Sequence, residues 1–248
     1  MNGISDESAE MPVQRPKAPA MRLLSARWLP PLILAIMLLA GFTWLGVQQQ
    51  QMEQASVQQQ RDTAVKLAEM QQQQTWLLDY YNAMSTLLAN NNLIQAQVND
   101  EVALVADART QEVLSQLDAD HKADVMRFLY ETRLINNDVH VIRTIDLDLH
   151  SAHLGGIDLR DTYLVGIDMS GADLRNANLS DASLNFANLD NANLAGANLQ
   201  ASDLHNVSLA GANLAGANLQ DAVGLTAEQL AQVGTLKGAT MPDGSVHP

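Results

Sequence analysis

From Leu149 to Leu219 the chain carries an apolar residue at every fifth position: Leu149, Leu154, Leu159, Leu164, Met169, Leu174, Leu179, Leu184, Leu189, Leu194, Leu199, Leu204, Leu209, Leu214 and Leu219. A period of five suits neither regular element. On a helix turning about 100° per residue these side chains would wander round the circumference. On a flat strand an odd spacing would send successive leucines to opposite faces. Two residues before each leucine stands a second, mostly small residue, as at Ala172, Ala177, Ala182, Ala187, Ala192, Ala197, Ala212 and Ala217. Positions two apart on an extended segment share a face. A chain that bends the same way at every repeat therefore turns both residues toward a common axis. The pattern predicts a solenoid with one repeat per side of a rectangular coil. At an offset of twenty, Leu147, Ile167 and Val207 share a column interrupted by Ala187, and Ala152, Ala172, Ala192 and Ala212 form another.

A different pattern opens the chain. WLPPLILAIMLLAGFTWLGV, Trp28 to Val47, contains no charge and is about long enough to cross a ~30 Å hydrocarbon core. Trp28 and Trp44 stand near its ends as interface anchors. Pro30 and Pro31 fall in the first turn, where a missing amide donor costs least. A cleaved signal peptide would have a shorter apolar stretch and small residues at its cleavage site, a role Leu38 and Ala40 fill poorly. A buried core helix would not run abruptly into glutamines. Arg15, Lys17, Arg22 and Arg27 precede the run, and Arg61 is the only basic residue in the fifteen positions after it. The positive-inside bias predicts a cytoplasmic N-terminus and a single anchoring span. In a Gram-negative bacterium the remainder would be periplasmic, on an inner-membrane anchor.

Gln48 to Asn92 has no proline or glycine. Leu67, Met70, Gln74, Leu77, Tyr81, Met84 and Leu88 follow the alternating three-and-four spacing of a coiled-coil seam. The segment reads as an oligomerising stalk or as one amphipathic helix folding back on its neighbours, with Gln48–Gln60 alternatively a disordered spacer. Asn90-Asn91-Asn92 stops it. Asn99 or Asp100 caps a further helix bearing Val102, Val105 and Leu114. Asp118 or Asp120 caps the next, whose apolar set is Val125, Phe128, Leu129 and Ile135. After Asn136-Asn137-Asp138 comes VHVIRTIDLDL, where helical periodicity ends.

The repeats GADLRNANLSDASLNFANLDNANLAGANL resemble those of the pentapeptide-repeat proteins. The resemblance covers Asp146 to Ala222 and implies a right-handed quadrilateral β-helix with four repeats per coil. Val105 to Ile135 is similar to the helical segment that precedes the repeats in membrane-associated bacterial members, and LTAEQLAQVGTLKGATMPDGSVHP is similar to tails that close such helices. The resemblance implies no common catalytic activity and no cofactor. The expected organisation is a basic cytoplasmic tail over 1–27, a transmembrane helix over 28–47, a glutamine-rich helical stalk over 48–95, a helical segment over 96–138 capping the solenoid, the β-helix over 139–222 and a C-terminal cap over 223–248. Within that cap, Thr226 and Gln229 read as a capping box with Leu230 as its apolar contact, and Met241 to Gly244 as a turn.

Composition narrows the function. The chain has 248 residues, net charge −14, 4% aromatic residues and no cysteine. Disulfides and thiolate chemistry are excluded, and a basic, aromatic nucleic-acid groove is not expected. Between Thr144 and Ala222 ten aspartates stand against Arg160 and Arg175, a net −8. Some cytoplasmic relatives in the resembled family bind DNA gyrase as DNA mimics, so an acidic inhibitor of a nucleic-acid enzyme such as a topoisomerase is the alternative function. The plainer reading is a solvated wall, since Asp and Asn suit outward positions beside tight turns. His150 and His153 with Asp148 lack a recognisable metal-ligand spacing, so no metal is assigned. Asp161 and Asp181 are expected to stack as a like-charge pair that attracts a cation weakly or is simply screened by water, and with the outward-facing ring of Phe186 they are the candidate surface contacts. No phosphate loop, serine elbow or zinc motif is present. The expected function is therefore a membrane-anchored, non-enzymatic scaffold or protein-interaction module. Its expected partners are the membrane, another protein and, through the stalk, a further copy of the chain.

Overall fold

The structure, a computed structural model, describes residues 31–138 and 140–248. The basic tail over 1–27 with Arg15, Lys17, Arg22 and Arg27, together with Trp28, Pro30 and Val139, lies outside the described residues. The chain divides into two units, Met1–Thr63 and Ala64–Pro248.

Helix α1 spans Pro31–Asn90, so the apolar run from Pro31 onward and the glutamine-rich segment are helical alike. It stops where Asn92 adopts a left-handed conformation, φ 53°, which Asn tolerates better than most residues. In the second unit the end of α1 packs against α2 (Glu101–Gln116) and α3 (Ala119–Glu131). Tyr80 and Met84 are buried there, with Leu77, Tyr81 and Leu88 partly so. The Tyr80 and Thr110 hydroxyls are 3.1 Å apart, and the Tyr81 hydroxyl donates to the Asp124 carbonyl at 3.2 Å. Burial pushes the Tyr80 phenol above its ordinary pKa. The seam expected along α1 is thus divided. Its later half closes on its own chain, whereas Leu67 and Met70 are about half exposed.

Asp118 caps α3, accepting from the His121 amide at 3.0 Å. Asp100 precedes α2 but makes no side-chain cap bond; its carboxylate accepts from the Gln97 amide instead. Val105 faces solvent rather than the core, at 43% exposure. The inward stripe of α2 is Ala103, Ala106, Thr110, Val113 and Leu114. Thr110 on that stripe meets Tyr80 of α1 through the two hydroxyls.

The repeats wind four to a coil. Single-residue parallel bridges join positions twenty apart: Asp148 with Asp168, Asp168 with Asn188, Asn178 with Asn198, Asn193 with Asn213. Among the described residues no bridge extends into a longer strand, because a corner follows every straight segment. All fifteen leucine or methionine positions are buried. Burying such a side chain is worth roughly 1.5–3 kcal/mol, so this column dominates the stability of the coil. Of the second inward positions, one column holds Leu147, Ile167, Ala187 and Val207, and the next is all alanine. A third replaces alanine by hydroxyls at Thr162 and Ser202, which donate to the carbonyls of Leu159 and Leu199 at 2.6 and 2.7 Å and leave no stranded polar atom.

The ladder does not stop at Ala222. After α4 (Ala227–Gln232) the chain returns to the coil, pairing Thr235 with Asn213 and Thr240 with Asn218. Leu236 and Met241, five apart, both pack on the core. Gly234 makes the return possible: a Cβ there would lie 2.8 Å from the Gly211 carbonyl oxygen. Thr226 and Gln229 form the reciprocal capping box of α4, but the apolar contacts come from Leu225, Val233, Leu236 and Met241, with Leu230 outside the core cluster.

Candidate functional site

With its apolar columns turned inward, what the coil offers to other molecules is its wall, and every wall position is set by the corners. The corner residue two after each inward Leu, Met or, at the first corner, Thr144 is left-handed from Asp146 to Asp221, φ 54–71°. Gly156, Gly166, Gly171, Gly196, Gly211 and Gly216 take that conformation without a Cβ penalty. Asn176, Asn191, Asn206, Asp161 and Asp181 tolerate it. Asp161 and Asp181 therefore occupy one corner column, where the Asn137 amide donates to the Asp161 carboxylate at 3.3 Å and to the Asp181 carbonyl at 2.7 Å. The Asp161 carboxylate and the Asp181 backbone carbonyl help fasten the segment that precedes the coil.

The Asp or Asn that precedes most of the leucines closes the corner. Its Oδ1 accepts the amide hydrogen two residues on, as in Asp158 to Arg160, Asn178 to Ser180, Asn198 to Gln200 and Asn213 to Ala215. These Asx turns explain why the wall is built from Asp and Asn. The same side chains also form a ladder across coils: Asn218 donates to Asn198, Asn198 to Asn178 and Asn178 to Asp158, at 3.1–3.2 Å.

Several acidic groups are neutralised within the molecule. The Arg160 guanidinium binds Asp158 at 2.7 Å and holds its carboxyl below the usual range; Arg175 does the same to Asp173 at 2.6 Å. A depressed folded-state pKa gives stability that is complete above the unfolded value and lost as pH falls through the folded one. The melting temperature, followed by circular dichroism, is expected to be level from pH 7 to about 5 and to fall below about pH 4.

Of the two histidines near the start of the coil, His153 meets α3 and His150 meets the next coil. His153 lies 2.7 Å from Asp120, and its amide donates to the Ala119 carbonyl. His150 pairs with Ser170 at 3.0 Å. Asp148 meets the nearly buried Lys122 at 3.3 Å. Among the described residues no cluster of three or more His, Asp or Glu is arranged to hold a metal ion.

Phe186 departs from the pattern. It occupies a left-handed corner, φ 61°, with its ring 64% exposed. That conformation costs a residue with a Cβ about 1–2 kcal/mol, and for a bulky side chain it is an outlier. The outward position of Phe186 was legible from the repeat phase, but its strain was not.

A family model described as pentapeptide repeats matches residues 152–188 and 187–223. The repeat region of this chain belongs to that family. No curated protein matches the chain. Three solved structures are similar to it. A pentapeptide-repeat protein from Nostoc PCC 7120, alr5209, is 44% identical over 30% of this chain and 62% of its own, with TM-score 0.30. HetL, a pentapeptide-repeat protein involved in heterocyst differentiation regulation in Nostoc sp. strain PCC 7120, is 36% identical over 40% of this chain and 55% of its own, with TM-score 0.26. Rfr23 from Cyanothece 51142 is 32% identical over 44% of this chain and 69% of its own, with TM-score 0.33. The chain thus spans less than two thirds of the first two structures.

Proposed function

We propose that this protein is a membrane-anchored, non-enzymatic interaction module that holds a pentapeptide-repeat coil on the side of the membrane opposite its N-terminus. The observation that carries the reading is the apolar collar at the start of α1. Leu34, Ile36, Met37, Leu38, Leu39, Phe42, Trp44 and Leu45 are each more than half exposed. Consecutive exposed apolar residues leave no polar face for water, which is the pattern of a helix whose solvent is lipid. Among the described residues no helix is long and apolar enough to cross a membrane; the run in the sequence begins at Trp28, before the described part of α1. The wall of hydrogen-bonded Asx turns that the coil presents to solvent supports its reading as a binding surface.

Reporter fusions after Pro248 test the topology. An enzyme that is active only after export is expected to work, and one that is active only in the cytoplasm is expected to be silent. The reverse result would place the coil with the cytoplasmic nucleic-acid enzymes and end the anchored reading.

A further inference from the structure

We propose that the edge of the coil carrying Phe186 is the docking point for a positively charged protein segment that presents an apolar side chain. This rests on the reading of the chain as an interaction module and names the face it uses and the chemistry of its partner.

Three independent observations converge on that edge. Phe186 is strained and exposed, and it lies outside the hydrophobic core. Asn206 makes the same turn one coil further on, so the fold has no use for a ring at this position. Strain held at the surface without a packing return marks a site kept for something else.

Part of the edge is also apolar. The Gly166 amide donates to the Asn185 carbonyl at 2.9 Å and the Asp146 amide to the Gly166 carbonyl at 3.1 Å, so the corners of three coils stack. Beside those corners stand Val165, half-buried, and Ile145, 57% exposed. Together with Phe186 they form a short apolar line on a wall otherwise rich in Asp and Asn. An exposed aromatic beside aliphatic neighbours is a usual anchor for a partner's side chain.

Charge selects the partner. The surrounding coil has ten aspartates, and its arginines, Arg160 and Arg175, are tied to Asp158 and Asp173. Arg143, near Ile145, is bound to Asp107 at 2.6 Å. Asp146 lies on the edge itself. A basic segment is steered toward such a surface, whereas nucleic acid, an acidic peptide or a second copy of this acidic chain is repelled.

The test places p-benzoylphenylalanine at Phe186 in the full chain, expressed in its native cells. A second variant carries it at Ala195, on the corner diagonally across the coil. After irradiation, the crosslinked peptides are sequenced. Expected are severalfold higher yields from position 186 and a captured segment with net positive charge and an aliphatic or aromatic residue. Capture of an acidic or uncharged segment, or of a second copy of this chain, overturns the proposal. Crosslinks from Ala195 alone also overturn it and leave the interaction-module reading standing. Silence at both positions ends both. In the purified full chain, Phe186→Asn is expected to raise the melting temperature by about 2–4 °C; an unchanged or lower value removes the strain on which the proposal stands.

Discussion

Leu194→Lys is expected to abolish the cooperative melting of the coil. Leu194 is fully buried in a central coil, with repeats stacked on both sides. Removing a buried leucine costs about 2.7–5.0 kcal/mol when a cavity remains. Placing an ammonium there adds a desolvation cost of several kcal/mol, because no carboxylate faces the axis. The sum rivals the whole stability of an ordinary domain, about 5–15 kcal/mol. Neighbouring coils cannot make up the loss, since each contacts only the next. The check is the melting curve and far-ultraviolet circular dichroism of the purified chain beside Leu194→Ala. The alanine variant should melt early but cooperatively, and the lysine variant should show no transition. A lysine variant that melts like the parent would refute the inward leucine column.

The second large effect concerns the junction of α3 with the first coil. Lys122 is only 7% exposed, and its ammonium lies 3.3 Å from Asp148. Asp148 has a second task, accepting the His150 amide at 2.9 Å to close its corner. Asp148→Ala removes both bonds and strands a nearly buried cation. Because the Asp148 side chain is half exposed, water softens the loss to about 2–3 kcal/mol, or on the order of 5–10 °C in melting temperature. Asp148→Asn keeps the corner acceptor and is expected to lose less. Lys122→Met removes the cation with the charge pair and is expected to stay within about 1 kcal/mol of the parent. If the alanine and asparagine variants melted together, the corner bond would contribute nothing. If Lys122→Met fell as far as Asp148→Ala, the ion pair itself would be stabilising.

Much of the fold was legible because a solenoid is a local code. Each repeat states its own inside and outside, so Leu149 to Leu219 declared an axis without any distant partner. The Gly, Asn and Asp that fill most corners two residues after a leucine were a signal for left-handed turns, one that Ser151, Phe186 and Ala201 lack, but that column was read only as facing solvent. The return of the chain to the coil had a faint signal in Leu236 and Met241. The insertion of α4 shifts the pairing from twenty residues to twenty-two, as in Asn213 with Thr235, and this put those residues out of phase with the earlier repeats.

Where partners are distant in sequence, pattern was not enough. Leu67 and Met70 share a heptad phase with Met84 and Leu88, yet only the later pair meets the helical cap. Periodicity marks a face as apolar but does not say what covers it. Val105 fails for a related reason, since the stripe that α2 turns inward contains small residues that hydrophobicity alone does not pick out. The candidate surface divides in the same way. The sequence by itself determined that Phe186 points outward and that the wall is acidic, because both follow from repeat phase and composition. Only the tertiary structure decided that Ile145 and Val165 lie along the edge that carries Phe186. That alignment depends on how coils stack, which is a relation between residues twenty and forty positions apart.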